Sequence, residues 1–361
     1  YGDHRDLHTA YRRQRQMCIR DRVRVSKMNQ ALPTLTLKDF ATDQEVRWCP
    51  GCGDYAILKT IQKVMPELNR PKENQVFVSG IGCSSRFPYY MNTFGFHTIH
   101  GRAPAIATGV KLANPELDVW VITGDGDGFS IGGNHMMHAI RRNVNLQILL
   151  FNNEIYGLTK GQYSPTSQVG TQSPSSPSGS VDAPLSPCLV SLGSGGTFIA
   201  RSIDTEAKHL SGIVKRGSEH DGTAFIEILQ NCPIYNDGVF SQVKDKKLAP
   251  EFRVEVQHGK PITFGQENEK GIMLDRQSLS LQVVQCAGNE NEILIHDEQN
   301  KAQAQLLAEM KGPNFPIAVG VLYKEEKSSF VTNVYEKIDV SKSEPGAFQE
   351  LLESGHTWEV K

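Results

Sequence analysis

Two short stretches decide the fold, VWVITGDGDG at residues 119–128 and LQILLFNN at residues 146–153. Each begins with an apolar run of strand length, at residues 119–123 and 146–151, and ends in small or polar residues. Apolar runs without alternation indicate strands that are buried on both faces of a parallel sheet. A helix is predicted between them at residues 132–142, and this order of elements is typical of α/β proteins. We therefore predict an α/β fold with a parallel sheet covered by helices on both faces.

The same alternation extends along the chain on both sides of these stretches. Further helices are predicted at residues 54–65, 103–113 and 205–215, and further strands at residues 76–81, 189–192 and 224–229. Residues 162–187 are rich in Ser, Pro, Gly and Thr. They are predicted to form a long loop, which in a compact domain is usually functional or mobile.

The sequence divides into three segments of different character. Residues 1–34 are expected to be a non-native or disordered leader, because residues 11–24 are dense in Arg and Gln and resemble a translated sequencing adaptor, with Met28 as the expected true start. Residues 35–236 carry the regular pattern and the motifs. Residues 237–361 are more polar, and we expect a less regular C-terminal extension with small pieces of structure at residues 260–265 and 317–323.

Composition excludes several classes of protein. The chain has 361 residues and a formal net charge of −2, which gives no reason to expect a nucleic acid as partner. No apolar run approaches the roughly 18–20 residues of a membrane span. The seven cysteines are odd in number and no export signal precedes them, so metal or redox use is favoured over a disulfide framework. A cytoplasmic location is the simplest expectation.

The strongest local motif is a Cys-x-x-Cys pair, Cys49-Pro50-Gly51-Cys52, which directs two thiolates toward one metal or cluster. Cys83 and Cys232 follow candidate strands and can complete a set of four. The pattern alone leaves an iron–sulfur cluster, a zinc site, a redox dithiol and unrelated core thiols open. Cys188 and Cys286 lack a Gly or Pro context and are expected to be buried bystanders.

The second motif predicts a diphosphate held through a divalent cation. Asp125 follows one predicted strand and Asn153 the next, so both side chains are expected at the same sheet edge. Hard cations prefer carboxylate, amide, carbonyl and phosphate oxygens. The glycines let the backbone approach a diphosphate, and the following helix offers amide donors. Plain Asp-Gly turns are the alternative.

Two further stretches are less specific. Lys160, in a Gly-bearing loop directly after Asn153, offers a positive charge to an anionic substrate or is simply solvated. His100 and Arg102 precede a predicted helix and are functional, capping or surface residues.

Taken together, the motifs resemble those of β subunits of 2-oxoacid:ferredoxin oxidoreductases, above all the members that use 2-oxoglutarate. The resemblance covers about residues 35–233. The motifs stand in the family order: Cys49-x-x-Cys52-Gly53, Ile81-Gly82-Cys83-Ser84, His100-Gly101-Arg102-Ala103, Gly124-Asp125-Gly126-Asp127, Asn152-Asn153 and Gly157-Leu158-Thr159.

The resemblance implies a thiamine-diphosphate-binding fold and a role for each matching residue. The implied ligands of a [4Fe–4S] cluster are Cys49, Cys52, Cys83 and Cys232. The implied Mg²⁺ ligands are Asp125, Asn153 and the carbonyl of Ile155. The residues implied to contact thiamine diphosphate are Ile81, Gly82, Cys83, Ser84, His100, Gly126, Asp127, Gly157 and Leu158. Lys160 matches a position that faces the substrate carboxylate, and Lys160 and His100 are the expected catalytic residues.

The implied activity is oxidative decarboxylation of 2-oxoglutarate with coenzyme A to succinyl-CoA and CO₂, with ferredoxin reduced. Because this chain offers one cofactor-binding domain, a separate α subunit is expected to supply the carboxylate that faces the aminopyrimidine ring. The alternatives are a pyruvate-specific enzyme of the same family, a non-catalytic zinc-binding structural subunit, and an acetolactate-type decarboxylase. The four cysteines and the short chain disfavour the last of these.

Overall fold

A computed structural model of the chain describes residues 35–338, 347–355 and 358. The chain divides into residues 1–35 and 36–361, and the fold is that of the second unit. The predicted leader at residues 1–34 lies outside the described residues.

The second unit is built on one eight-stranded sheet. The strands of the chain are β1 (Gln75–Ser79), β2 (Phe94–His97), β3 (Asp118–Gly124), β4 (Leu146–Asn152), β5 (Ile155–Tyr156), β6 (Gln162–Tyr163), β7 (Phe198–Ile203), β8 (Thr223–Leu229), β9 (Arg253–Val256), β10 (Thr263–Phe264), β11 (Lys270–Asp275), β12 (Ser280–Gln285) and β13 (Ile317–Lys324). The order in the main sheet is β2-β1-β3-β4-β8-β7-β13-β9. Neighbours are parallel except β13 and β7, which are antiparallel. The prediction of a mostly parallel α/β sheet is confirmed.

Helices connect the strands and cover the sheet. They are α1 (Asp54–Glu67), α2 (Ala103–Ala113), α3 (Asp125–Phe129), α4 (Gly133–Arg141), α5 (Pro187–Gly193), α6 (Ala207–Ser218), α7 (Ser241–Lys244), α8 (Ala249–Phe252), α9 (Lys301–Glu309), α10 (Phe330–Lys337) and α11 (Ala347–Glu353). Short 3₁₀ segments lie at Leu37–Phe40, Lys72–Asn74 and Ser84–Tyr90. No helix of the described part of the chain is long and apolar enough to cross a membrane.

The apolar strands are buried because both faces of the sheet are covered. On one face, apolar residues of α2, α4, α5 and α9 share one buried cluster with Val76, Val121 and Ile148. On the other, Phe77 stacks on Trp120 with ring centroids 5.8 Å apart. Helix α1 packs against α6, which packs on β7 and β8. This two-sided burial explains why the strands are continuously apolar rather than alternating.

The register brings the carboxyl ends of the central strands to one edge. Ser79 at the end of β1 pairs with Ile122, Gly124 at the end of β3 pairs with Phe151, and Asn152 at the end of β4 pairs with Leu229. Every loop that carries a motif after these strands therefore leaves the sheet on the same side, where α/β proteins bind ligands.

One predicted strand is wrong. Residues 189–192 belong to helix α5 rather than to a strand. The helix begins at Pro187, and proline is a preferred residue at the first helical position. The strand of this region is β7, a few residues later. Its apolar pattern is interrupted by Arg201, which is buried because it pairs with Glu227 at 2.7 Å. Residues Asp125–Phe129, directly after β3, form the short helix α3.

The C-terminal part contributes to the main sheet as well as to its surface. Strands β9 and β13 extend the main sheet at one edge, while β10, β11 and β12 form a small antiparallel sheet. The predicted piece at residues 317–323 corresponds to β13, and that at residues 260–265 contains β10. The domain boundary at residue 237 stays a prediction.

Candidate functional site

The carboxylate of Asp125 lies buried at the carboxyl end of β3, with 2% of the residue exposed. Its Oδ2 accepts a hydrogen bond from Thr166 Oγ1 at 2.6 Å. Burial raises the pKa of this carboxyl group above its usual range. Within residues 35–338, 347–355 and 358, no salt bridge reaches it. A buried carboxylate without a countercharge is costly, so this position favours a bound cation.

The loop after β4 leaves the sheet at the same edge as Asp125, because β3 and β4 are paired in parallel. Asn153 Oδ1 accepts a hydrogen bond from Ile155 N at 3.2 Å, which closes a tight turn over Glu154. Glu154 takes the left-handed conformation, with φ of 55°. Asn152 is already bonded within the protein, because its Nδ2 donates to Glu227 Oε1 at 2.8 Å. Its Oδ1 accepts from Thr166 Oγ1 at 3.0 Å and from Glu154 N at 3.2 Å. The predicted role of Asn153 as a metal ligand stays a prediction.

Tyr156 closes over the glycine that follows Asp125. Its hydroxyl donates to the Gly126 carbonyl at 3.1 Å. A Cβ at position 126 would lie 2.2 Å from the tyrosine ring, which is far inside contact distance. Gly126 is therefore required by the close packing of the Tyr156 ring.

Both carboxylate oxygens of Asp127 accept hydrogen bonds from other residues of the chain. Its Oδ1 accepts hydrogen bonds from Ile81 N at 3.0 Å and Gly101 N at 2.7 Å, and its Oδ2 accepts one from Thr123 Oγ1 at 2.7 Å. His100 Nδ1 lies 2.6 Å from Oδ1, so this nitrogen carries the proton and Nε2 is on the far side of the ring. Asp127 thus ties three motifs together and orients His100. Its predicted contact with a cofactor stays a prediction.

The four predicted cluster thiols lie in one neighbourhood beside this loop. A Cβ built on Gly157 would lie 3.5 Å from Cys83 Sγ and 3.7 Å from Cys232 Sγ. Burial raises the pKa of Cys83 to about 12, with added effects from Asp54, Cys232 and Cys49. Burial likewise raises the pKa of Cys52, and Cys232 and Cys83 add to it. The thiols are therefore mutually close, and a cationic group is needed for them to ionise together.

The other two described cysteines lie apart from this group. Cys188 is fully buried and donates to Glu227 Oε2 at 3.1 Å. Cys286 is half-buried at the end of the small sheet, where its Sγ contacts the Asn268 carbonyl at 3.3 Å. The prediction of burial is confirmed for Cys188 and is wrong for Cys286.

Lys160 lies at the tip of the β5–β6 hairpin and is exposed. It has a left-handed φ of 76°, and its amide donates to the Gly157 carbonyl at 3.1 Å. Leu158, beside it, is 54% exposed. The hairpin therefore presents both side chains outward from the sheet edge. Their roles toward substrate and cofactor stay predictions.

The donor set fits a metal that is shared with a phosphate group. In the described ranges, no three His, Cys, Asp or Glu side chains are arranged to hold a single metal ion. The predicted ligands Asp125, Asn153 and the Ile155 carbonyl would provide one carboxylate and two neutral oxygens. Mg²⁺ is commonly bound in this way, with few protein ligands and substrate phosphates completing its shell.

Several residues that shape the site were not predicted. Thr166 lies in the Ser/Pro/Thr-rich loop, where no local pattern marks one hydroxyl among many. Gln230 donates from Nε2 to Cys52 Sγ at 3.2 Å. Asp204 accepts from Asn231 N at 3.0 Å and follows β7, the strand that the sequence pattern misplaced. Its position at a strand end would have been the signal, had that strand been found.

The match to a family model identifies the class of protein to which the fold and the site belong. Residues 80–228 match the family model described as the thiamine pyrophosphate enzyme C-terminal TPP-binding domain. This range begins directly after β1 and contains β3, β4 and most of β8, the strands whose carboxyl ends carry the site. The core of the chain is therefore a thiamine-diphosphate-binding domain.

Relatives narrow the class to one family. The chain is 48% identical over 331 residues to the 2-oxoglutarate oxidoreductase subunit KorB of Mycobacterium tuberculosis, covering 90% of this chain and 88% of that one. It is 44% identical over 203 residues to a 2-oxoacid:ferredoxin oxidoreductase subunit beta of Saccharolobus solfataricus, covering 56% and 67%. A solved 2-oxoglutarate:ferredoxin oxidoreductase from Magnetococcus marinus, with 2-oxoglutarate, coenzyme A and succinyl-CoA bound, matches with a TM-score of 0.69 and 31% identity over 92% of this chain and 94% of that one. The chain belongs to the family of 2-oxoacid:ferredoxin oxidoreductase β subunits.

Proposed function

We propose that the chain is the cofactor-binding β subunit of an enzyme that oxidises 2-oxoglutarate with coenzyme A to succinyl-CoA and CO₂ and reduces ferredoxin. One observation carries the proposal. The buried carboxylate of Asp125, which has no salt bridge among the described residues, and the cysteine thiols beside Gly157 lie at the same sheet edge. The names of the relatives support 2-oxoglutarate as the substrate. The reducing cytoplasm, which keeps such thiols free, is the proposed compartment.

The diphosphate end of the cofactor is assigned to the edge formed by β3 and β4. Asp125, Asn153 and the Ile155 carbonyl would hold Mg²⁺, and the backbone at Gly126 would face the diphosphate. Ile81, Gly82, Cys83, Ser84, Gly157 and Leu158 would line the rest of the cofactor. When bound, thiamine diphosphate supplies the ylid that adds to the keto carbon and the electron sink for decarboxylation.

We assign to His100 a ring whose proton is fixed on Nδ1 by Asp127. Because Asp127 accepts from Nδ1, the opposite ring nitrogen, Nε2, is an acceptor in the neutral form. It would then accept a hydrogen bond from a hydroxyl group of cofactor or substrate. Lys160, at the hairpin tip, would pair with the distal carboxylate of 2-oxoglutarate.

The four thiols Cys49, Cys52, Cys83 and Cys232 are assigned to a [4Fe–4S] cluster. Four cysteines are the ligand set of such a cluster. Zinc can also take four thiolates.

A five-residue loop, residues 153–157, joins the proposed Mg²⁺ site and the proposed cluster site. Asn153 and Ile155 at its start are the proposed metal ligands, and Gly157 at its end lies against Cys83 and Cys232. Short separation favours electron transfer from the cofactor site to the cluster. The loop would therefore position the electron donor and the electron acceptor together.

A second subunit is needed for a complete site. Thiamine enzymes place a carboxylate against the aminopyrimidine ring, and we assign that group to an α subunit. Purified chain that turns over a 2-oxoacid with a viologen dye, without any partner, would overturn this assignment. Residues 35–236 are proposed as the domain that holds both centres, with residues 237–361 as its extension.

Metal analysis tests the proposal directly. The enzyme is purified without oxygen, and iron, acid-labile sulfide and zinc are counted per β chain. About four iron and four sulfide are expected. Zinc without sulfide would support the structural-subunit alternative instead and would remove the electron-transfer role.

Substrate preference is tested on the assembled enzyme. Rates with 2-oxoglutarate are expected to exceed those with pyruvate, and Lys160→Met is expected to reduce the preference by raising KM for 2-oxoglutarate. Lys208→Met, on helix α6, is the matched control. A higher rate with pyruvate in the unmodified enzyme would favour the pyruvate-specific alternative.

A further inference from the structure

Gln230 follows strand β8 and is 1% exposed. Its backbone amide donates to the Asn152 carbonyl at 2.8 Å, which continues the pairing of β8 with β4. Its side chain lies against the Cys-x-x-Cys motif, with Nε2 3.2 Å from Cys52 Sγ. Among the hydrogen bonds of the described residues, this is the one in which a side chain donates to a sulfur of the four-cysteine group.

The orientation of the Gln230 amide is fixed by a second acceptor. Nε2 also donates to the Asn231 carbonyl at 2.7 Å. Rotating the amide would place Oε1 against this carbonyl, where two acceptors repel each other. Oε1 is buried without a hydrogen-bond partner. Because an unsatisfied buried acceptor is costly, its retention here suggests that the donor end has a role of its own.

The backbone segments that carry Cys52 and Gln230 are held together by a hydrogen bond and by close packing. Gly53 N donates to the Asn231 carbonyl at 3.1 Å. A Cβ at position 53 would lie 2.0 Å from Asp204 Oδ2 and 2.9 Å from Gln230 Cγ. Asp204, fully buried, also pairs with Lys244 at 2.7 Å. The Cys52–Gly53 and Gln230–Cys232 segments therefore pack too tightly for the contact to be incidental.

Cys52 also has an acidic neighbour. Asp54 is 2% exposed and interacts with Cys52. Negative groups around a cluster disfavour its more negative, reduced state. A hydrogen bond donated to a ligand sulfur has the opposite effect, because it stabilises the added electron.

We propose that Gln230 is a positioning residue that donates an N–H···S hydrogen bond to Cys52 and thereby raises the reduction potential of the cluster. This inference rests on the proposed iron–sulfur cluster. With the bond in place, the cluster accepts an electron from the cofactor site more readily. Without it, the ratio of reduced to oxidised cluster at a given potential falls by about tenfold, which equals about 59 mV for one electron.

The test compares two buried glutamines in the assembled enzyme, purified without oxygen. Gln230→Met keeps the length of the side chain and removes the donor. Gln147→Met is the matched control, because Gln147 is also 1% exposed with an unpartnered Oε1 but lies near the amino end of β4. Iron and sulfide are counted first, and the midpoint potential is then measured by redox titration with electron paramagnetic resonance.

A lowered potential in Gln230→Met, with full iron and sulfide and no change in Gln147→Met, is the expected result. An unchanged potential in Gln230→Met with a full cluster would overturn the inference. Unmodified enzyme that contains no iron and sulfide would instead overturn the proposed cluster, so the two failures are distinguishable.

A second measurement covers the case in which Gln230→Met loses its cluster. Unmodified enzyme is prepared with ¹⁵N in its glutamine side chains and reduced, and the magnetic coupling between the cluster and ¹⁵N is recorded. A coupling from one side-chain nitrogen is expected and supports the bond to Cys52. Its absence would assign Gln230 a purely structural role and overturn the inference.

Discussion

Strand β3 begins with one buried aspartate and is followed directly by another, and the two have opposite surroundings. Asp118 at the amino end pairs with Arg70 at 2.6 Å and accepts from Trp120 Nε1 at 3.0 Å. Asp125 at the carboxyl end has a hydroxyl partner, Thr166, and no salt bridge within the described residues. Burial raises the pKa of both carboxyl groups. One end of the sheet thus has its charges balanced by the protein, and the other leaves a charge for a ligand to balance.

The largest expected effect comes from removing the unbalanced charge. Asp125→Ala is expected to lower the activity of the assembled enzyme at least about 100-fold, since groups that merely orient metal ligands already contribute about 10–100-fold. Stability without cofactor should not fall, because a costly buried carboxylate is removed. Steady-state rates with 2-oxoglutarate, thiamine diphosphate affinity and urea unfolding check both parts. Near-normal activity would show that Asp125 holds no metal.

The matched change at the other end of β3 should have the reverse outcome. Asp118→Ala is expected to destabilise the protein by about 3 kcal/mol, the lower end of the range for breaking a buried ion pair, because Arg70 is about one-third exposed. Activity per folded molecule should be unchanged. The midpoint of urea unfolding and the specific activity of the soluble fraction are the measurements. Loss of activity without loss of stability would contradict the comparison.

A smaller effect is expected at Asn143, which precedes β4. Its Oδ1 accepts from Thr197 Oγ1 at 2.7 Å and Thr223 N at 3.0 Å, and its Nδ2 contacts the Lys327 and Ser328 carbonyls. Asn143→Ala should reduce the free energy of unfolding by roughly 2–3 kcal/mol, because buried groups lose their partners.

The control for this variant is Asn145→Ala, whose exposed side chain makes one hydrogen bond, to Asp221. It should change stability by less than about 0.5 kcal/mol. Equal effects of the two substitutions would show that the network around Asn143 contributes little.

The smallest effect is a pH dependence at the same end of the sheet. Burial lowers the pKa of His220, whose Nε2 lies 2.7 Å from Thr197 Oγ1. Below about pH 6.5 the unfolded chain takes up a proton that the folded chain does not, so stability is present above this pH and is lost as the pH falls toward the folded pKa. His220→Asn should flatten the change in urea midpoint between about pH 7.5 and 5.5. An equally steep change in the variant would assign it to other groups.

The sequence pattern predicted the structure correctly wherever the residues that determine an element lie within that element. Strand β3 is a run of apolar residues because both faces are covered, and helix α2 was predicted with the bounds that it has. The segments at Asp125 and Asn153 leave the sheet at one edge because β3 and β4 are paired in parallel. These conclusions needed no knowledge of distant contacts.

Pattern failed where burial depends on a partner far along the chain. Arg201 breaks the apolar run of β7, yet it is buried because Glu227 on the neighbouring strand neutralises it. The same applies to Thr166 and Gln230, whose importance lies in contacts with Asp125 and Cys52. Nothing in the residues next to them marks these contacts, so they became visible only in three dimensions.

The loop from Asn153 to Gly157 has a practical consequence for handling the enzyme. One end is assigned to the cofactor's metal, and the other covers Cys83 and Cys232. Removing Mg²⁺ and diphosphate should loosen the cover over these sulfurs. Air should therefore bleach the proposed iron–sulfur cluster faster in enzyme stripped of thiamine diphosphate than in loaded enzyme, and storage with cofactor should protect it.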